Sequence, residues 1–175
     1  MRSIKKSRVS KWMLYFSLPL SLFLFTYQVI AIEDINLESK EISTAQMISD
    51  EEITNLTNQF MVKLVQEVDE NYKVINFDTK ESLKASFDHI ANRDVINEYI
   101  DFYYEETKEG LFILPTELPP WFIEKNDYDM IQLKGNQVKV IQENDTDLYG
   151  HYTITFEFTF DGKDHWKITN ISLTE

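Results

Sequence analysis

The chain has 175 residues and a formal net charge of −13, from 30 acidic and 17 basic residues. Residues 1–32 hold five of the basic residues and none of the acidic ones, so residues 33–175 carry 12 basic against 30 acidic, a net −18. That balance argues against nucleic acid as a partner, because phosphate recognition needs a basic footprint. The lack of cysteine excludes disulfides, thiolate metal sites, a cysteine nucleophile and an acylated-cysteine anchor.

The five cations are Arg2, Lys5, Lys6, Arg8 and Lys11, and an uncharged run from Trp12 to Ile32 follows them. A basic stretch ahead of an apolar one is the layout of an export signal. Val29-Ile30-Ala31 suits cleavage after Ala31. The alternative is a retained anchor, since a spanning helix needs ~20 apolar residues. Pro19 and several polar side chains in the run weigh against the anchor. Both readings place the rest of the chain outside the cytoplasm, because the basic end stays inside. The expected division is 1–31 signal or membrane anchor, 32–48 polar tether, and 49–175 folded domain.

Ser49-Asp50-Glu51-Glu52 reads as a capping box. Behind it Ile53, Leu56, Phe60, Leu64 and Val68 recur at helical spacing, which predicts an amphipathic helix to about Glu70. Asp78 or Thr79 can cap a second helix, with Leu83, Phe87 and Ile90 on one face and an end near Asn92. A third helix is expected from Asp94 to about Thr107, with Ile96, Tyr99, Ile100 and Tyr103 as its apolar side and Gly110 as its stop.

After Pro115, Pro119 and Pro120 the period changes to two. Met130–Lys134 and Val138–Gln142 flank Gly135-Asn136 and read as a hairpin. Tyr152, Ile154, Phe156, Phe158 and Phe160 alternate with polar residues, the signature of a strand with one wet face. Asp161-Gly162 turns the chain into a last strand bearing Trp166 and Ile168, and the spacing on to Ile171 predicts a bulge near Asn170. Helices followed by an antiparallel meander define an α+β domain, its helices packed on one face of a curved sheet.

This order resembles the nuclear transport factor two-like superfamily, the cystatin-like cone. The features that carry the resemblance are the helix Ile53–Val68, the strand Tyr152–Phe160 and Trp166-Lys167-Ile168. Pro115 to Phe122 and Val140 to Asn144 are also similar to small exported proteins of Gram-positive spore formers. The resemblance implies a bent sheet around a long first helix, with a cone that binds ligands or proteins in many members and catalyses in a few. No family catalytic set maps onto this chain residue by residue.

Candidate chemistry is sparse. His89, His151 and His165 share no ligand spacing, so no metal or other cofactor is expected. Asp94, Glu98, Asp101 and Glu105 form an acidic stripe on the third helix, suited to a cationic partner or Ca²⁺, or simply a solvated face. Asn144-Asp145-Thr146-Asp147 mimics part of a calcium loop but lacks its Gly and closing Glu, and reads as a turn. Pro119-Pro120 presets an extended backbone ahead of Trp121 and Phe122. These four residues form either a lip that anchors a ligand or partner, or an aromatic plug on the core. Serine-nucleophile, glycine-rich phosphate-loop and HExxH motifs are absent.

The expected function is a non-catalytic extracytoplasmic domain that binds an envelope protein or small ligand. Acid–base catalysis inside the cone, by carboxylates or by Tyr99 or Tyr103, is the enzymatic alternative. A structural role in an envelope or spore-coat assembly is a third.

Overall fold

A computed structural model describes residues 47–163 and 165–174. The expected signal or anchor, the cleavage point after Ala31 and nearly all of the tether lie outside the described residues. Three helices lead: α1 (Asp50–Leu64), α2 (Lys80–Ala85) and α3 (Arg93–Tyr103). A hairpin of β1 (Tyr104–Thr107) and β2 (Gly110–Ile113) follows, then β3 (Asp129–Gln132), β4 (Gln137–Thr146), β5 (Gly150–Phe160) and β6 (Trp166–Thr174). The last four strands form one antiparallel meander in sequential order, so the domain is α+β.

Ser49 caps α1, its hydroxyl accepting from the Glu52 N–H at 3.2 Å. Ile48 and Ile53 stand at the two positions of a hydrophobic staple and both are buried. Ile48 is therefore part of the core rather than of a polar tether. The helix stops at Leu64, six residues short of the expected Glu70. Its terminal carbonyls are taken by side chains: the Tyr104 hydroxyl donates to Leu64 and the Gln66 amide donates to Lys63. Val68 then pairs with Val74 in an isolated bridge. Asp69 closes the turn between them, accepting from the N–H groups of Asn71 and Lys73.

Thr79 caps α2. The expected helix to Asn92 gives way after Ala85 to tight turns, in which Ser86, Phe87 and Ile90 bond back three residues. The tighter winding still buries Leu83, Phe87 and Ile90 together. Asn92 caps α3 and ties it to the sheet, accepting from the Val95 N–H and donating to the Thr169 carbonyl at 3.0 Å each. Ala91 bridges Ile168, which covers the start of the β6 edge.

The third helix ends at Tyr103, not Thr107, because Tyr104–Thr107 pair with Gly110–Ile113. Gly110 is accordingly not a helix stop but the start of β2, at φ +131°. A side chain there would meet the Lys73 stem as well as a strained backbone.

Val138 and Val140 on β4, Tyr152, Ile154, Phe156 and Phe158 on β5, and Trp166 and Ile168 on β6 are buried on the sheet's inner face. Ile53, Phe60, Ile96 and Ile100 close the core from the helices. The register shifts between Glu157, opposite Asn170, and Phe158, opposite Ile168, so Thr169 is the extra residue. This bulge lies where the spacing from Ile168 to Ile171 predicts it. It returns Ile171 to the position opposite Phe156 and so restores inward alternation.

Candidate functional site

The segment between β2 and β3 has no regular secondary structure across Leu114–Tyr128, apart from a short turn at Glu124–Asn126. It runs as a strap over the open side of the core. A backbone without a ladder must find other partners for its polar groups, and here they come chiefly from side chains of β4, β5 and the turn between them. The Tyr149 hydroxyl donates to the Leu118 carbonyl at 2.9 Å and the Tyr152 hydroxyl to the Trp121 carbonyl at 2.7 Å. Gln142 holds both backbone groups of Ile123, accepting from its N–H at 2.8 Å and donating to its carbonyl at 2.9 Å. The same amide donates to the Asn126 carbonyl at 3.1 Å. Asn126 in turn donates to Asn144, which donates to Gln142.

Gln142 and Asn144 are fully enclosed, at 0% and 3% exposure. They are affordable inside because the amide network is satisfied. Their signal in the sequence is positional. The alternation Val138, Val140, Gln142, Asn144 continues the inward face of β4 with two amides where apolar residues would be expected. The expected turn at Asn144–Asp147 moves accordingly: β4 runs through Thr146 and the turn falls at Asp147–Tyr149.

Trp121 and Phe122 both pack on the core. Trp121 stacks on Phe60 with ring centroids 5.3 Å apart and meets Phe156 and Tyr99 edge-on at 5.3 and 6.0 Å. Its indole N–H donates to the Thr57 carbonyl of α1 at 3.1 Å. Phe122 is buried against Phe156 and Tyr128. Pro119 and Pro120 are half-buried, and Leu118 ahead of them is exposed. Burial pushes the Tyr152 hydroxyl above its ordinary value. Burial, together with the hydrogen bond to the Asp50 carboxylate, pushes Tyr128 up to about 12.

The acidic stripe does not survive as one helical row. Asp94, Glu98 and Asp101 lie on α3 and are exposed, but Glu105 lies on β1 opposite Phe112. Asp94 sits in the first turn, where a carboxylate complements the helix dipole. Asp101 accepts from Lys84 at 2.9 Å and Lys80 at 3.4 Å. The bond to Lys84, with Lys80 as the weaker partner, holds its carboxyl below the usual range. Glu98 makes no ion pair among the described residues and borders a small cavity with Tyr99, Phe102 and Tyr103.

His89 and His151 are exposed, and His165 reaches Asp161 at 3.1 Å. Among the described residues no three His, Asp or Glu side chains are grouped to hold a metal. No helix among them is long and apolar enough to cross a membrane. No protein-family model matches the chain, and no curated protein matches it.

Proposed function

We propose that residues 49–175 are a non-catalytic extracytoplasmic domain that binds a protein of the cell envelope along the outer edge of the strap, Leu118 to Trp121. The observation that carries this reading is the filling of the interior. Phe60, Phe87, Tyr99, Trp121 and Phe156 occupy the space between helices and sheet as a continuous set of ring contacts. A domain filled this way offers recognition from its outside, and the strap presents Leu118, the half-buried prolines and the partly buried Trp121 there. Three helices, a hairpin and a four-stranded antiparallel meander support the cone-like reading of the fold. The five N-terminal cations and the uncharged run behind them support export, with the segment 12–32 as cleaved signal or retained anchor.

Burial pushes the Tyr99 and Tyr103 hydroxyls up, away from the neutral range in which a general base is effective. Acid–base chemistry inside the cone by a carboxylate or an imidazole needs that group enclosed. Every described Asp, Glu and His is instead exposed or half-exposed.

Two measurements test the reading. Protease added to intact cells should digest the domain, whereas a domain protected until lysis would overturn export. A photo-crosslinking residue at Leu118 of the full chain should capture a defined envelope protein. The same residue at Asn170, on the other edge of the fold, should not. Equal capture at both positions, or none at Leu118, would overturn strap docking.

A further inference from the structure

One side of α3 carries an aromatic ledge around the exposed Phe102, of which the reading above uses only Tyr99, on its core-facing side. Glu98, Tyr99, Phe102 and Tyr103 line a cavity of about 220 Å³. Phe102 is 62% exposed, although Tyr103 beside it is buried. The Phe102 ring meets the Tyr103 ring edge-on at 4.8 Å, and Tyr99 and Tyr103 lie nearly parallel with centroids 6.4 Å apart. Three rings thus wall a space whose single charged lining group is a carboxylate. The nearest turn of the same helix shows the contrast. Asp101 is neutralised by Lys84 and Lys80, whereas Glu98 has no cation of its own among the described residues.

We propose that this ledge receives arginine side chains from a basic peptide segment of a protein partner. Guanidinium stacks on aromatic faces and pairs with a carboxylate through the same planar group. The lining supplies both partners within one cavity. The charge of the chain points the same way: the net −18 of residues 33–175 attracts basic segments over a long range. An apolar occupant, including a second copy of this chain, would strip water from Glu98 without giving it a counter-charge. This inference needs neither export nor docking at the strap.

The test uses the full chain in neutral detergent and fluorescence anisotropy with a labelled Arg-Gly repeat peptide. A citrulline-Gly peptide of the same length is the uncharged isostere. The arginine peptide should bind about tenfold more tightly or better, as loss of the cation removes both the ring and the carboxylate interaction. Phe102→Ala and Glu98→Gln should each weaken binding about fivefold or more, and both positions are exposed enough to leave folding intact. Asp94→Asn removes a carboxylate one turn away that does not line the cavity, and should change affinity less than about twofold. An equal loss from Asp94→Asn and Glu98→Gln would overturn the ledge in favour of the domain's general negative field. So would an affinity indifferent to Phe102→Ala. Absence of peptide binding, with a dimer in sedimentation that Phe102→Ala dissolves, would assign the ledge to a second copy and overturn the proposal.

Discussion

The strap and the third helix solve opposite problems. The strap has almost no backbone ladder, yet its aromatic side chains are packed inside and its carbonyls are held by Tyr149, Tyr152 and Gln142. Helix α3 satisfies its own backbone and so can leave Phe102 in water at little cost. Regular structure and burial are therefore separable. A segment without regular structure becomes rigid when enclosed side chains replace the ladder, and a regular one can carry an exposed ring because its order does not depend on it.

The largest expected effects test the buried half of this comparison. Phe156→Ala and Trp121→Ala should each lower stability by roughly 3–5 kcal/mol in urea unfolding, as large-to-small changes among packed rings do. Thr155→Ala, on the other face of β5, should cost much less. A Trp121 variant with unchanged stability would mean that the strap lifts off the core in solution. A larger loss at Thr155 than at Phe156 would put β5 out of register by one residue.

Gln142→Ala comes next. It leaves the N–H and carbonyl of Ile123 and the carbonyl of Asn126 without partners, at a cost of about 1–3 kcal/mol for stranded buried polar groups. The strap should also become the first site of limited proteolysis in this variant. If it is cut no faster than in the wild type, the amide network is not what holds the segment down.

Much of this architecture was legible in the chain, and the failures have a common physical origin. The caps Ser49 and Thr79, the inward face of β5 and the bulge near Asn170 are local signals, written within a few residues of where they act. The end of α3 is not local. Tyr104–Thr107 continue a helical pattern, but pairing with Gly110–Ile113 wins, and Glu105 leaves the acidic row with them. The end of α1 is set likewise by Tyr104, forty residues on in the chain. The role of Gln142 depends on a strap whose path no pattern encodes. Residue type alone also misplaces exposure: a Pro-Pro-Trp-Phe segment reads as a protruding lip as readily as a plug, and Phe102 is an apolar type that only its place beside Glu98 and Asp101, off the apolar side of the helix, marks as exposed.

The Asp101 pair separates charge from packing on the same helix. Its folded-state carboxyl is held below the unfolded value, chiefly by the hydrogen bond to Lys84. The stabilisation is therefore present above the ordinary carboxylate range and is lost as the pH falls through the lowered folded value. The Asp101 side chain is 56% exposed, so solvent screening limits the effect to about 0–1 kcal/mol. Urea unfolding of Asp101→Asn should fall short of the wild type at pH 7, and the deficit should shrink as the pH drops below the ordinary carboxylate value of about 3.9. A deficit that persists unchanged at acid pH would show that the aspartate contributes through shape rather than charge.

Phe102→Ala should have the smallest effect on stability, and two terms of opposite sign explain why. Removing the ring forfeits its edge contact with Tyr103, of order 0.5–1.5 kcal/mol where such pairs are well packed and less at an exposed site. Alanine returns part of this, since it is the better helix former by roughly half a kcal/mol at an exposed position. Little apolar area is lost, because the ring is mostly in water already. The net change should fall within about 0.5 kcal/mol, the usual range of surface substitutions, in the same urea experiment that separates Trp121→Ala from wild type. A loss comparable to that at Trp121 would mean that Phe102 is covered in the folded protein. The ledge would then be part of the core, and no partner could reach Glu98 beside it.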